Sequence, residues 1–461
     1  MMNAIPVIAI FDVGKTNKKL FLFDQDYHIV FEKTARFIET VDEDGFACEN
    51  LQSLRLSVFD SLSEIFRLKE FKVKAVNFSA YGASFVYLDE SGQAVAPLYN
   101  YLKPYPESLS NNFYSTYGGE LRFSTETASP ILGNLNSGLQ LYRIKHEKPE
   151  LYKQIKYALH LPQYLSFLLS GQYYSDLTSI GCHTALWDFA NDCYHEWVQR
   201  EGLALKLAPI AAADKALPAL FPGNNYKVGV GLHDSSAALI PYLVNFSEPF
   251  ILISTGTWCI SLNPFNQSAL TADELDKDCL FYIQYKGKHV KASRLFSGFE
   301  HEQQVKRIAA HFNQDAIKFR NLPFDPEVML KLKKQNIHAQ ETGFAKESVF
   351  TSRDLSAFGN DVEAYHQLIL DLISLQVEST KLVLNNTPVK RIFVDGGFSK
   401  NSIYMHLLAS SFQNMETFAA SMAQASAVGA ALSIHKEWNT KPIPSDIIEL
   451  KYYSAGEAIA L

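Results

Sequence analysis

Two short stretches near the middle of the 461-residue chain carry residue types that could perform chemistry. Residues 231–239, GLHDSSAAL, place Asp234 in a turn of glycine and serine that opens an apolar, helix-forming run. Residues 251–262, ILISTGTWCISL, predict a strand, a tight Ser-Thr-Gly-Thr turn and a second strand. A carboxylate beside a turn rich in hydroxyls and main-chain amides favours phosphoryl transfer, because that reaction needs mainly positioning and charge neutralisation.

A similar hairpin begins the chain at residues 7–24. The apolar run 7–11 predicts a central strand buried on both faces, and Asp12 at its end is well placed to hold a hydrated Mg²⁺ ion. The turn that follows combines a flexible glycine with side-chain donors for an anion: Gly14, Lys15, Thr16, Asn17 and Lys18. An ordinary hairpin with a polar turn is the alternative. The GxxxxGK[ST] spacing of a Walker A motif is absent.

The two hairpins share one layout of apolar strand, Gly/Thr turn and apolar strand, which indicates a duplicated domain with a nucleotide between the copies. A third turn contains Gly396 and Gly397, between a buried strand and a predicted helix. That arrangement commonly brings backbone close to a nucleotide. The small-residue run 424–435 predicts a helix that allows close approach by a neighbouring helix or by an adenosine moiety.

The surrounding pattern predicts helices over 51–70, 138–169 and 362–384, and a strand over 73–80. An Asp-Glu-Ser-Gly turn at 89–92 then favours a β-hairpin. Aromatic residues cluster after it and could stack on a sugar or pack in a core. His183 has no partner at metal-ligand spacing, which favours a structural role.

Composition sets the broad class of the protein. The length predicts two domains, and 47% hydrophobic with 20% charged residues is typical of a soluble globular chain. A net charge of −7 argues against nucleic-acid and anionic-membrane partners. The five cysteines show no ligand spacing, which favours reduced thiols in a cytoplasmic protein without a structural metal site. Neither a signal peptide nor an apolar run of about 20 residues is apparent.

Four motifs follow one another along the chain: DVGKTN, GLHDSSAAL, STGTW, and VDGGFSKN with QASAVGAAL. Their order and spacing resemble the FGGY carbohydrate kinase family over essentially the whole chain. The resemblance implies an α/β fold of two RNase H-like (actin/hexokinase-type) domains flanking a nucleotide and sugar cleft. The first, residues 1–243, would carry the sugar side, the first phosphate motif and the catalytic aspartate. The second, residues 244–461, would carry the second phosphate motif and the adenosine motif.

The family's motifs imply a role for individual positions. Asp234 matches the general base that accepts a proton from the attacking sugar hydroxyl, and Asp12 matches the aspartate associated with Mg²⁺. The positions matching ATP and phosphate contacts are Gly14, Lys15, Thr16, Asn17, Lys18, Ser254, Thr255, Gly256, Thr257, Gln303, Gly396, Gly397 and Asn401. The positions expected at the sugar are Gly82, Ser84, His233, Asp234 and Ser235.

Within the family, the Gly-x-His-Asp turn and a Pro-x-Tyr-Leu-Ser run at 162–166 resemble the rhamnulokinase branch. The expected activity is ATP- and Mg²⁺-dependent phosphorylation of a primary hydroxyl of a rhamnulose-, fuculose- or xylulose-type ketose. The expected partners are the sugar and ATP, and a homodimer would follow family habit. Departures from the family pattern at four positions bear on the sugar or nucleotide: Ser84, Tyr101, Leu295 and Gln424.

Two rival interpretations come from other classes. One is a catalytically silent sugar- or nucleotide-binding regulator on the same fold, against which the retained Asp12 and Asp234 argue. The other is an actin- or chaperone-like ATPase scaffold, which would lack the His-Asp turn.

Overall fold

The computed structural model describes residues 4–15, 18–35, 39–223, 225–335, 347–422 and 424–454. Two predicted phosphate contacts, Thr16 and Asn17, lie outside the described residues.

The first half of the chain contains fifteen described strands and nine described α-helices. The strands are Ile5–Val13 (β1), Lys18–Phe23 (β2), Ile29–Ala35 (β3), Glu39–Val41 (β4), Ala47–Glu49 (β5), Phe71–Ala80 (β6), Phe85–Leu88 (β7), Tyr157–His160 (β8), Ser175–Asp176 (β9), Trp187–Asp188 (β10), Cys193–Tyr194 (β11), Ile210–Ala211 (β12), Ala216–Pro218 (β13), Lys227–Gly229 (β14) and Leu232–His233 (β15). The helices are Leu51–Arg67 (α1), Glu107–Thr116 (α2), Glu120–Glu126 (α3), Ser137–Glu147 (α4), Pro149–Gln154 (α5), Leu161–Ser170 (α6), Leu177–Ile180 (α7), Glu196–Arg200 (α8) and Asp234–Asn245 (α9).

The second half contains seven described strands and seven described α-helices. The strands are Phe250–Thr255 (β16), Cys259–Asn263 (β17), Cys279–Ile283 (β18), His289–Leu295 (β19), Arg391–Gly396 (β20), Glu416–Ser421 (β21) and Glu449–Tyr453 (β22). The helices are Ala272–Asp276 (α10), Ser297–His311 (α11), Pro326–Gln335 (α12), Asp361–Leu384 (α13), Ser402–Ser411 (α14), Ala425–Ser433 (α15) and His435–Trp438 (α16).

Each half forms one seven-stranded mixed sheet, and the central strands of the two sheets have the same arrangement. In the first, β3, β2 and β1 are antiparallel neighbours, and β6 and then β14 and β15 continue parallel to β1. In the second, β19, β17 and β16 are antiparallel neighbours, and β20 and β21 continue parallel to β16. The predicted duplication and α/β fold class are therefore confirmed.

Strand β1 shows why the first sheet is buried on both faces. Val7, Ala9 and Phe11 pack with the apolar residues of α1 and α6, whereas Ile8 and Ile10 face the opposite side. That opposite side joins a core shared with α9, α15 and the second sheet. Because successive side chains of a strand point to opposite faces, a continuous apolar run is needed where both faces are covered.

Helices α9 and α15 pack closely against each other between the two sheets. A Cβ added at Gly429 of α15 would lie 1.8 Å from the Ala237 carbonyl oxygen of α9, so glycine permits this backbone contact. Asn77 of β6 also donates to the Ala430 carbonyl oxygen over 2.8 Å. The small-residue run thus serves a neighbouring helix, which was one of its two predicted uses.

Two predictions of local structure were wrong. The turn after β7 forms, but β7 takes β8 as its antiparallel partner, and its own hairpin is reduced to the single bridge Leu88–Ala94. The predicted helical stretch 138–169 is interrupted by β8, which separates α5 from α6. In both cases a strand partner far away in sequence overrides the local pattern.

Within the described ranges, no helix combines the length and the apolar character that a membrane crossing requires. All five cysteines belong to these ranges and are free thiols, of which Cys193 is exposed.

Candidate active site

Asp234 occupies the first position of α9, directly after the short strand β15. Gly231, just before this strand, has a φ of +85°, and a Cβ there would lie 2.4 Å from the Pro162 carbonyl oxygen. Glycine is therefore required for the turn that delivers the aspartate. The Ser235 backbone N–H donates to Asp234 Oδ1 over 2.6 Å. The positive end of the helix dipole favours a carboxylate at this place.

Asp12 approaches Asp234 from the end of β1. Asp12 and Leu232 lie opposite the same residue, Ser79, on the two sides of β6. With neighbouring strands about 4.8 Å apart, β1 and β15 are separated by roughly 10 Å at this level. Because both strands run parallel to β6, their carboxyl ends present the two aspartates at the same edge of the sheet.

The Asp12 carboxyl is under electrostatic strain in this position. Its pKa is raised to about 6, mainly by burial and in part by the charge of Asp234, against a lowering hydrogen bond from Ser426. That bond, from Ser426 Oγ to Asp12 Oδ2, is 2.9 Å long and links α15 to the first sheet. A buried carboxyl group at the end of a strand suits Mg²⁺, which uses one or two carboxylates together with water and phosphate oxygens. Among the described residues, no group of three or more His, Cys, Asp or Glu side chains forms a metal cage.

The first predicted phosphate turn begins at Gly14 and is described as far as Lys15. Lys15 Nζ lies 3.6 Å from a carboxylate oxygen of Glu49 and 5.7 Å from the centre of the Tyr101 ring. Lys18, at the start of β2, forms an ion pair with the same carboxylate at 3.0 Å. Both predicted lysines are thus gathered around one buried acid.

The second predicted phosphate turn, Ser254 to Thr257, joins β16 to β17, and Gly256 and Thr257 are exposed at its tip. Thr255 fastens this turn to the one that follows β20. Its carbonyl oxygen accepts from the Gly397 N–H over 2.9 Å, and its hydroxyl accepts from the Phe398 N–H over 3.0 Å.

Glycines permit the tight stacking of these turns. A Cβ at Gly396, whose φ is +91°, would lie 1.9 Å from the Thr255 carbonyl oxygen. A Cβ at Gly298, at the start of α11, would lie 1.8 Å from the Gly256 carbonyl oxygen. Two predicted nucleotide-binding turns and the first turn of a helix therefore meet at one place. The N–H groups of Gly256 and Gly397 donate within this assembly, to the Trp258 and Thr255 carbonyl oxygens.

Two other predicted nucleotide contacts have different surroundings. Asn401 caps α14, accepting from the Tyr404 N–H over 3.0 Å, and its side-chain amide donates to the Tyr365 hydroxyl over 2.7 Å. Its side chain is therefore already engaged in holding the fold. Gln303 is exposed on α11.

On the predicted sugar side, His233 packs against Gly82, where a Cβ would lie 2.4 Å from His233 Cδ2. The His233 N–H donates to Thr178 Oγ1 over 3.0 Å, and the Thr178 hydroxyl donates to the buried Asp176 carboxylate. Burial lowers the pKa of His233, against the opposing charge of Asp234, so the ring is neutral near pH 7. Its Nδ1 is buried, forms no hydrogen bond with any described residue and lies 3.5 Å from Asp234 Oδ1.

The Ser84 hydroxyl, expected at the sugar, has a partner within the protein. The side chain is buried, and its hydroxyl donates to the Tyr99 carbonyl oxygen over 2.9 Å. Tyr101, the second departure, packs edge-to-face on Tyr81 with ring centres 5.7 Å apart. Burial raises the pKa of Tyr101, and the charge of Asp234 contributes to that shift, so this ring lies on the same side as the catalytic candidate.

A cavity of about 620 Å³ opens between the two halves of the molecule. Its lining comprises Glu120, Leu121, Ser124, Pro130, Ile131, Leu132, Trp258, Leu275, Asp276, Asp278, Arg294, Leu295 and Phe296. The Arg294 guanidinium forms a two-point contact with Asp278 at 2.7 and 3.1 Å and lies 5.3 Å from the Trp258 ring centre. The cavity adjoins the second phosphate turn through Trp258, whereas Asp234 is not part of its described lining.

Several residues of this region were missed by sequence reasoning. They are Glu49, Asp176, Thr178, Arg294 and Ser426. Asp176 had a readable signal, since Asp-Leu-Thr before a short helix is a helix-capping pattern, and its carboxylate does cap α7. The others are placed by tertiary contacts that no local pattern shows.

Residues 7–226 match the N-terminal domain of the FGGY family of carbohydrate kinases, and residues 247–442 match the C-terminal domain of carbohydrate kinase FGGY. Together these segments cover most of the chain. The chain belongs to the FGGY family of carbohydrate kinases. The family predicted from the four motifs is thus confirmed.

Curated relatives of this FGGY family member include two rhamnulokinases. That of Halalkalibacterium halodurans is 22% identical over 266 residues, covering 54% of this chain and 54% of the relative. That of Mannheimia succiniciproducens is 24% identical over 168 residues, covering 36% and 34%. The chain therefore spans about half the length, or less, of the curated relatives it matches.

Solved structures show the same fold along almost the whole FGGY chain. A carbohydrate kinase from Novosphingobium aromaticivorans superposes with a TM-score of 0.80 at 23% identity, covering 98% of this chain and 94% of that one. A ligand-bound xylulose kinase from Lactobacillus acidophilus gives a TM-score of 0.77 at 16% identity, with the same coverage. The two-domain actin/hexokinase-type fold is thereby confirmed.

Proposed function

We propose that this FGGY family member transfers the γ-phosphoryl group of ATP to a primary hydroxyl of a rhamnulose-, fuculose- or xylulose-type ketose. The observation that carries the proposal is the meeting of Asp12 and Asp234 at one sheet edge, each at the carboxyl end of a strand parallel to β6. One aspartate lies beside a phosphate-type turn, and the other begins a helix beside a neutral histidine. That pairing suits a metal-assisted transfer to a hydroxyl group.

In the proposed mechanism Asp234 accepts the proton of the sugar hydroxyl as that oxygen attacks the γ-phosphorus. Its fixed position at the start of α9 limits the geometries from which a hydroxyl can approach. Lys15 would contact the phosphate chain on one side. The exposed tip of the second phosphate turn, Gly256 and Thr257, would do so on the other, stabilising charge on the transferred group.

Asp12 would hold the metal ion, since its carboxyl is confined beside a second carboxyl and has oxygen ligands to offer. When bound, Mg²⁺ supplies charge neutralisation for the phosphate oxygens. The bond from Ser426 keeps Asp12 Oδ2 oriented. The same bond connects α15, and hence the second half of the chain, to the reacting centre.

We infer that the acceptor reaches from Asp234 into the cavity beside Trp258, whose described lining contains none of the five residues expected at the sugar. The cavity presents an exposed indole and Phe296, with ring centres 4.6 Å apart, together with the carboxylates of Asp276 and Asp278. Aromatic faces suit the apolar side of a sugar, and carboxylates accept hydrogen bonds from hydroxyls. Leu295, the departure from the family pattern that was expected toward the nucleotide, also lies in this lining.

A panel of ketoses and polyols offered with ATP and Mg²⁺, with ADP release as the readout, tests the proposal. We expect turnover with one or more of the rhamnulose-, fuculose- and xylulose-type ketoses. Firm ATP binding without ADP release from any ketose would contradict a kinase function and favour a silent regulator on the same fold. The homodimer and the domain limits 1–243 and 244–461 stay predictions.

A further inference from the structure

A buried carboxylate outside the recognised motifs gathers the charged residues of the first phosphate turn. Glu49 is the last residue of β5, forms a strand bridge with Leu98 and directly precedes the residue that caps α1. Its backbone is therefore fixed by a strand, a bridge and a helix start. The side chain is 4% exposed, so its position is defined on every side.

Three polar groups converge on this carboxylate. The Lys18 ammonium lies 3.0 Å from one oxygen, and the Lys15 ammonium lies 3.6 Å from the other. The Tyr81 hydroxyl donates to the latter oxygen over 2.8 Å. A buried acid that loses its partners is costly, because the charge would stay desolvated. Glu49 therefore has a strong preference for keeping these three groups in place.

The contacts of Glu49 reach both substrates of the proposed reaction. Lys15 belongs to the first phosphate turn, whereas Tyr81 immediately precedes Gly82, which packs on His233. Tyr101 closes the group, since its ring lies beneath Lys15 and against Tyr81. At 3.6 Å the Lys15 contact is the longest of the three to Glu49, and that side chain is 27% exposed. Of the three groups, Lys15 can therefore most easily leave Glu49 and contact an incoming phosphate.

We propose that Glu49 is a positioning residue that holds Lys15 ready for a nucleotide phosphate and fixes Tyr81 beside the acceptor. This inference rests on the proposed kinase function. It assigns Glu49 no contact with a reacting atom. The carboxylate acts through the lysine on the nucleotide side and through the tyrosine hydroxyl on the sugar side.

Glu49→Gln removes the negative charge of the side chain and keeps its size and shape. The amide oxygen can still accept from Tyr81, but the negative charge that holds Lys15 is lost. We expect Lys15 to react several-fold faster with an amine-acylating reagent, measured by peptide mass spectrometry without any substrate present. Glu201→Gln is the matched control, because Glu201 also accepts from a tyrosine hydroxyl, that of Tyr117, and from a lysine, Lys145. This control should leave Lys15 labelling unchanged.

Steady-state kinetics give the second readout. For Glu49→Gln we expect the KM for MgATP to rise about tenfold, as for loss of a charge-assisted contact, with the acceptor KM changed by less than about twofold. Tyr81→Phe should show the reverse, with only the acceptor KM raised. Because Glu49 acts through Lys15, adding Glu49→Gln to Lys15→Gln should raise the KM for MgATP no further.

Unchanged Lys15 labelling and an unchanged KM for MgATP in a folded Glu49→Gln protein would overturn the proposal. So would fully additive effects of the two substitutions. If thermal melting shows that Glu49→Gln does not fold, Lys15→Gln and Tyr81→Phe still test the proposal. If either variant changed the KM for MgATP and the KM for the acceptor equally, Lys15 and Tyr81 would not serve separate substrates. If the wild-type chain transfers no phosphoryl group, the kinase proposal fails, and the labelling result alone decides whether Glu49 holds Lys15.

Discussion

Asp12 carries an electrostatic cost at the carboxyl end of β1. Its pKa is raised from 3.8 to about 6, chiefly by burial. A carboxyl group with a raised folded-state pKa favours folding below its unfolded value, and this contribution is lost as pH rises from about 4 to 6. Binding of a cation reverses the preference, because the metal requires the deprotonated carboxylate.

Mg²⁺ affinity should therefore depend on pH through Asp12. We expect affinity in the presence of ADP to rise about tenfold per pH unit as pH approaches the value of about 6, and then to level off. Calorimetric titration between pH 5 and 7.5 measures this. Asp12→Asn should weaken binding and abolish the slope, whereas Asp24→Asn, at the far end of the same hairpin, should keep it. A flat profile in the wild type would contradict the role of Asp12.

Ser84 stands at a family motif position, and its hydroxyl has a hydrogen-bond partner within the protein. The position aligns with a family acid, which made it a candidate sugar contact. In the structure the side chain is buried and its hydroxyl donates a hydrogen bond to the Tyr99 carbonyl oxygen. An acid introduced here would face that carbonyl oxygen, so its first effect would be on stability and not on the choice of sugar.

At the scale of elements, the phosphate-binding turns are held by main-chain contacts between distant strands. The turn after β16 is bonded to the turn after β20 through Thr255, and α11 begins against the same turn. These contacts leave no room for a Cβ atom at Gly298 or Gly396, which explains why glycine occupies both positions. The element that binds is therefore an assembly of three segments and not a single loop.

Adjacent glycines allow this to be tested. Gly396→Ala would bring a Cβ to 1.9 Å from the Thr255 carbonyl oxygen at a φ of +91°, so we expect a loss of roughly 1–3 kcal/mol or more in unfolding free energy. Gly397→Ala is the control, because its φ is −62° and the nearest atom is 4.0 Å away. Chemical denaturation of both variants measures the difference. Equal stabilities would show that the turns can separate without cost.

The sequence predicted the elements whose signals are local. The apolar runs of β1, β16 and β20 and the glycine turns after them are strands and turns as expected, and α13 begins within one residue of its predicted start. It could not show that β7 pairs with β8, because that choice depends on a strand 69 residues further on. Likewise Glu49 and Arg294 lie in stretches without motif character, and only folding brings them to the site.

At the scale of the whole molecule, the two halves meet through α9 and α15 and leave the cavity beside Trp258 between them. Asp234 begins α9, and Ser426 of α15 bonds to Asp12. A relative movement of the halves would therefore act directly on both catalytic candidates. In kinases of this general design, closure excludes water from the transferred phosphoryl group.

Trp258 provides a reporter of that closure. It is 43% exposed, whereas the other three tryptophans, Trp187, Trp197 and Trp438, are buried. We expect acrylamide quenching of tryptophan fluorescence to fall by roughly half when the acceptor and a non-hydrolysable ATP analogue bind together. Trp258→Phe should remove the quenchable component. Unaltered quenching with an acceptor that is turned over would place the sugar outside this cavity.

Asp234 is the proposed general base for transfer to a sugar hydroxyl, and Asp234→Asn tests this role most directly. With the best ketose from the panel, we expect kcat to fall by about 10²–10⁴-fold, while ATP affinity stays near that of the wild type. Asp361→Asn is the control, because Asp361 also occupies the first position of a helix but lies outside the proposed catalytic group. A kcat for Asp234→Asn close to that of the wild type would contradict the role of Asp234 as general base.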